Sequence, residues 1–162
     1  MRTIEGSLDG SGLRVVIVAA RFDKAGVIDA LIEGAVETAA ECDIAGDALT
    51  LVRVPGAFEL PAAAQRLAAS GGYDAIVCIG AVVRGETPHF EYVAGEAARG
   101  IADVSREFGL PVSFGVITAD TVEQARARAG GDVRNSGREA MLAAVETAIL
   151  FQRLPSAGGG TD

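Results

Sequence analysis

The chain has 162 residues, 49% of them hydrophobic and 22% charged, with a formal net charge of -8 and a pI near 4.7. One domain burying about 70% of its unfolded surface is expected at this length, and the apolar content excludes a disordered chain. The acidic balance opposes a phosphate-backbone footprint or a basic membrane-surface helix, so neither nucleic acid nor membrane is an expected partner.

In chain order, Leu13–Ala20 is a short β-branched run typical of a strand buried on both faces. Val27, Ile28, Leu31, Ile32, Ala35, Val36 and Ala39 then repeat with helical spacing. Leu49–Val54 predicts a second strand and Phe58–Ala69 a second helix. Asp74–Val83 gives a third strand, followed by a long helix over Pro88–Phe108 with Val93, Ala97, Ile101, Val104 and Phe108 along one face. Pro111–Ile117 is a fourth strand, and Thr121–Ala129 and Ser136–Arg153 are the last helices.

Four strand–helix alternations predict an α/β fold: a four-stranded parallel sheet with helices on both faces. Arg2–Ser7 is too short for a layer of its own; it either adds a short N-terminal strand to a neighbouring subunit's sheet or frays. The expected domain spans residues 1–154, and the apolar-poor tail 155–162 is expected to be disordered.

Apolar runs such as Val15–Ala20 fall far short of the ~18 residues that cross a bilayer, and no basic segment with an apolar core opens the chain. A cytoplasmic location is expected. With only Cys42, Cys78 and His89 available, neither a disulfide framework nor a Cys/His zinc site can be assembled within one chain. No metal and no cofactor are expected. An aromatic share of 5%, 21 glycines and many alanines imply close packing of small side chains. Either part of that apolar surface is buried between subunits, or alanine-rich helices raise the hydropathy without creating a sticky patch.

Ligands of open α/β sheets bind beyond the carboxyl ends of the strands. Those ends here read Arg21-Phe22-Asp23, Pro55-Gly56-Ala57-Phe58-Glu59, Arg84-Gly85-Glu86-Thr87-Pro88-His89 and Thr118-Ala119-Asp120. In the third, Gly85 permits a tight turn, Thr87 suits an N-cap and Pro88 the first helical position, which together either make an anion pocket or merely start a helix. His89 beside it can carry protons near neutral pH, or is simply a surface residue at a helix start. Phe22 stacks on a planar ligand or lids the first helix. Glu59 serves a helix start or a ligand, Arg128 compensates a helix C-terminus or binds an anion, and Lys24 is a solvated lysine or a Schiff-base former.

Five segments closely resemble the 6,7-dimethyl-8-ribityllumazine synthase family: Ala20-Arg-Phe-Asp23, Val54-Pro-Gly-Ala-Phe-Glu-Leu-Pro61, Gly80-Ala-Val-Val-Arg-Gly-Glu-Thr-Pro-His-Phe-Glu-Tyr-Val93, Phe114-Gly-Val-Ile-Thr118 and Glu123-Gln-Ala-Arg-Ala-Arg-Ala-Gly130. The resemblance runs from about Ile4 to Leu154, in order. It implies a flavodoxin-like sheet and the penultimate step of riboflavin synthesis, in which 5-amino-6-(D-ribitylamino)uracil condenses with 3,4-dihydroxy-2-butanone 4-phosphate, releasing phosphate and water. It further implies that Phe22 stacks on the uracil ring and that Ala57, Phe58 and Glu59 line the ribityl pocket. Ala81, Val82 and Val83 present backbone groups to the pyrimidine, and Gly85, Glu86 and Thr87 cradle phosphate. His89 shuttles protons, while Phe114 and Arg128 arrive from the adjacent subunit, Arg128 pairing with phosphate.

The resemblance also implies a homo-oligomer: a pentamer, in some members assembled into a sixty-subunit shell. The short connection from Gly130 to Asn135, without insertion, is similar to shell-forming members. One departure stands out. The family's Asn-Lys-Gly before the last helix is Asn135-Ser136-Gly137 here, with Arg134 or Arg138 as substitutes for the missing cation. A non-catalytic flavin- or lumazine-binding or shell-forming paralogue is the alternative; intact Phe22, His89 and Arg128 argue against it.

Overall fold

A computed structural model describes residues 1–130 and 134–155. Its strands are β1 (Val15–Ala20), β2 (Leu49–Val54), β3 (Ala75–Val83) and β4 (Val112–Ala119). Its helices are α1 (Ile28–Glu41), α2 (Leu60–Ala69), α3 (His89–Phe108), α4 (Val122–Arg126) and α5 (Ser136–Arg153). All strand pairs are parallel, in the order β2-β1-β3-β4. The expected α/β architecture is therefore the observed one.

The order dictates the layers. The chain moves outward from β1 to β2, then reverses across β1 to β3 and on to β4. Parallel crossovers keep one hand, so reversing direction moves the connecting helix to the opposite face. Accordingly α1 and α5 cover one face, packing Leu31, Ala35, Met141 and Val145 on Val15, Ile17, Val77 and Ile79. α2 and α3 cover the other, with Leu60, Ala64, Ala97 and Ile101 on Val16, Val18, Ile76 and Cys78. β1 is buried along its whole length, as a central strand between two helix layers must be.

The α1–α5 seam is tight. A Cβ at Gly137 would collide with the Leu31 carbonyl, and one at Gly34 would meet the Asn135 side chain. Asn135 uses this proximity: Nδ2 donates to the Ala30 and Ala129 carbonyls, and Oδ1 accepts from the N–H groups of Gly137 and Arg138, capping α5.

Some boundaries shift. Residues 57–59 form a separate 3₁₀ turn ahead of α2, and α4 ends at Arg126. Arg2–Ser7 pairs with no strand among the described residues and lies along α5, where Arg153 Nη1 donates to the Glu5 carbonyl at 2.7 Å and Nη2 to Ser7 Oγ at 3.1 Å. Residues 156–162 of the expected tail, and 131–133 of the short connection before α5, lie outside the described residues. Among the described residues no helix is long and apolar enough to cross a membrane.

Candidate active site

The strand order reverses between β1 and β3, and a cleft of about 570 Å³ opens at that point beyond the carboxyl ends. It gathers segments far apart in the chain. Phe22 follows β1 and is held there by hydrogen bonds from the N–H groups of Arg21 and Phe22 to the carbonyls of Val54 and Pro55, at 2.8 and 2.9 Å. Phe22 is 69% exposed, so it fills no core, and it lines the cleft. Gly56, Ala57, Phe58 and Glu59 come from the turn after β2, and a side chain at Gly56 would press on the Glu59 carboxylate.

The floor is the end of β3. β1 pairs with Ala75–Ile79, whereas β4 pairs along β3 as far as Val83, so among the described residues Gly80–Val83 have no strand on the β1 side. Ile76 and Arg84 donate toward β4, to the carbonyls of Pro111 and Ala119. Strand alternation therefore turns the peptide groups of Ala81 and Val83 to the open side. Ala81 and Val82 are buried as side chains while this main-chain edge stays available.

Gly85, Thr87 and His89 complete the rim; Glu86 lies in the same loop but does not line the cleft. Thr87 is not the cap expected from the sequence. α3 starts at His89, so Pro88 occupies the N-cap position, no side chain caps the helix, and Thr87 is one residue outside it. The first turn closes instead through Glu91 N–H to the Pro88 carbonyl at 3.0 Å. Gly85 has no left-handed φ and open space where a Cβ would stand, so it supplies room rather than turn geometry.

Phe114 and Arg128 lie elsewhere. They line an outer cavity of about 550 Å³ on β4, the start of α5 and the turn after α4, with Arg134, Ser136 and Glu139. Arg128 Nη1 donates to the Gln124 carbonyl at 2.9 Å, compensating the end of α4, and forms no ion pair among the described residues. Arg134 lies 2.9 Å from the Glu139 carboxylate. Arg138 faces away from this cavity toward α1, 2.7 Å from Glu41 and bonded to Thr38. Of the two substitutes for the missing lysine, only Arg134 shares a cavity with Arg128.

Residues 12–152 match the family model described as 6,7-dimethyl-8-ribityllumazine synthase. The protein named 6,7-dimethyl-8-ribityllumazine synthase from Nitratidesulfovibrio vulgaris (strain Miyazaki F) is 47% identical over 154 residues, covering 95% of this chain and 98% of its own. This chain belongs to the 6,7-dimethyl-8-ribityllumazine synthase family.

In this lumazine synthase family member the cleft has further walls that the sequence reading did not assign: Tyr92, 70% exposed, with Phe90 and Val93. Helical spacing was the available signal, because residues three and four beyond His89 share its face. Lys24 also lines the cleft. Neither cysteine lines the cleft; burial pushes the Cys78 thiol up to about 12, and Cys42 is raised by burial and the Glu41 charge.

Proposed function

We propose that the cleft beyond β1, β2 and β3 binds 5-amino-6-(D-ribitylamino)uracil and 3,4-dihydroxy-2-butanone 4-phosphate, and that a second copy of the chain completes it. The reaction is the family's condensation to 6,7-dimethyl-8-ribityllumazine with release of phosphate and water. The carrying observation is convergence: Phe22, Ala57, Phe58, Glu59, Ala81, Val82, Val83, Gly85, Thr87 and His89 all line one cleft.

The chemistry asks little of the protein beyond placement. The aryl amine attacks the ketone and expels water, giving an imine. Loss of the proton on the adjacent hydroxyl-bearing carbon pushes electrons outward and expels phosphate from the next carbon. The enol tautomerises to a ketone, and the ribityl-bearing nitrogen closes the ring with loss of a second water. The substrate brings its own nucleophile, so the tasks left are orientation, an anion site and a proton carrier. His89 is the proton carrier, at the rim beside the loop that receives the phosphate. Phe22 stacks on the ring, the Ala81 and Val83 peptide groups read its polar edge, and Glu59 accepts from ribityl hydroxyls. Gly85 and Thr87 at the cleft rim, with the main chain of Glu86 between them, enclose the phosphate at the start of α3, where the helix dipole favours an anion.

The separate position of Phe114 and Arg128 supports a site shared between subunits. Two unlike surfaces of one chain, the cleft and the β4 cavity, meet head to tail, which closes into a ring. A pentamer, alone or as the unit of a sixty-subunit shell, is the assembly proposed, with Arg2–Ser7 adding a strand at a neighbour's sheet edge. The test is product formation followed by absorbance, with particle mass by light scattering in parallel. Lumazine formation that falls in His89→Ala is expected. Tight riboflavin binding without turnover would establish the carrier reading instead.

A further inference from the structure

Arg84 stands where β3 gives way to the loop carrying Gly85, Glu86 and Thr87. Its N–H donates to the Ala119 carbonyl at 2.9 Å, extending the β3–β4 ladder by one residue. Its side chain reaches in three directions: Nε donates to Asp120 Oδ1 at 2.8 Å, Nη1 donates to Glu91 Oε1 at 3.2 Å, and the guanidinium carbon lies 4.5 Å from the centre of the Phe90 ring. One residue thus joins the start of the loop to the first turn of α3 and to the end of β4. Between these anchors, Gly85, Glu86 and Thr87 form no hydrogen bonds with the described residues.

That combination suits an anion loop. Amides left without internal partners are available to a ligand, but an untied loop must be ordered when the ligand binds, which weakens affinity. Fixing both ends removes much of that cost. The contacts are poorly explained as stability alone, because the Arg84 side chain is 43% exposed and its two carboxylate partners are 64% exposed, and exposed ion pairs contribute little. A planar fork that stacks on a ring and donates along two separate directions is also something a lysine cannot reproduce.

We propose that Arg84 is a positioning residue: through Asp120, Glu91 and Phe90 it holds the Gly85–Thr87 loop in the shape that receives phosphate, without touching substrate itself. This rests on the reading of that loop as the phosphate site.

The experiment measures inorganic phosphate binding by calorimetry and the KM for each substrate, on the assembled wild type and on Arg84→Ala, Arg84→Lys and Asp120→Asn. Arg84→Ala is expected to weaken orthophosphate binding and raise the KM for the butanone phosphate by about tenfold, while the KM for the ribitylaminouracil stays within about twofold. Arg84→Lys should rescue only part of the loss, and Asp120→Asn should shift the same two quantities to a smaller degree. Should Arg84→Ala fail to assemble, Asp120→Asn carries the same readouts. Equal changes in both KM values, or unaltered phosphate affinity in an active variant, would overturn the clamp and leave the active-site reading intact. A wild type that neither binds orthophosphate nor forms product overturns the active-site reading, and the clamp falls with it.

Discussion

His89 and Arg128 line two different cavities of the same chain, one at the carboxyl ends of the central strands and the other against the outer strand β4. A reaction that needs both an imidazole and a guanidinium at one phosphate must draw them from different copies. The two variants His89→Ala and Arg128→Ala are then complementary. Each alone should lose activity, by about 10²-fold for His89→Ala if its proton transfer has the usual weight. Dissociating and reassembling an equal mixture should restore up to about one quarter of wild-type activity, because one junction in four joins two intact halves. A mixture no better than its parents would place both residues in one subunit's site.

Ser136 occupies the first position of α5 and shares the outer cavity with Arg128 and Arg134. Ser136→Lys should lower the KM for the phosphorylated substrate severalfold. It should also reduce thermal stability slightly, since a cation at a helix start opposes the dipole by about 0.3–1 kcal/mol. Arg134→Ala should raise that KM, whereas Arg138→Ala should leave it unchanged because Arg138 is turned to Glu41 and Thr38. Initial rates against both substrates distinguish these outcomes, and an unchanged KM in Ser136→Lys removes the case for a weakened phosphate site.

Gly137→Ala should destabilise the fold strongly, by about 3 kcal/mol or more, because its methyl has only the Leu31 backbone to occupy and backbone cannot swing aside. Gly46→Ala is the control, with open space and no left-handed φ. Urea midpoints at one fixed protein concentration make the comparison, fixed because assembly is linked to folding. Similar midpoints would mean that the α1–α5 seam yields.

Asp74 joins the starts of β1 and β3. Its carboxylate accepts from the Arg14 N–H at 2.8 Å and from the Arg14 guanidinium at 3.3 Å. Burial works against its ionisation, but the Arg14 hydrogen bonds and charge outweigh that and hold it below the usual carboxylate value. A lowered folded value means that the unfolded chain binds more protons in this window. The contribution is therefore complete above the unfolded value of about 3.9 and lost as pH falls through the folded one. Asp74→Asn should cost about 1 kcal/mol at pH 7, a modest figure because both groups are partly exposed, with the difference from wild type shrinking below about pH 4. Denaturation at pH 7 and pH 3.5 tests this; a pH-independent difference would mean the carboxylate charge is immaterial.

The elements were legible because their periodicities are local: β1 opens on four β-branched residues, Val15–Val18, and α3 repeats Ala97, Ile101 and Val104 at helical spacing. The ends were less so. Thr-Pro reads as a cap followed by a first helical residue, yet nothing within three residues could reveal that Pro88 itself takes the cap position. Phe22, Gly56–Glu59, Gly85, Thr87 and His89 were found because they follow strands, whereas Ala81, Val82 and Val83 lie within β3 and were pointed to by the family resemblance alone. Tyr92 was missed because it lies inside a helix, and the Arg84–Asp120 contact because its partners are 36 residues apart. No rule of spacing ties Phe114 and Arg128 to His89, and only family resemblance linked them.

The overhang of β3 beyond β1 bears on how this protein tolerates mutation. The proposed recognition by peptide groups survives any exchange of side chain that leaves the strand's course intact, so single substitutions at Ala81 or Val83 that preserve packing should pass almost unnoticed in a mutational scan. Insertion or deletion of one residue in that stretch swaps which amides face outward and would erase the contacts proposed for the substrate ring at a stroke. The proposed recognition there depends on chain geometry more than on amino-acid identity.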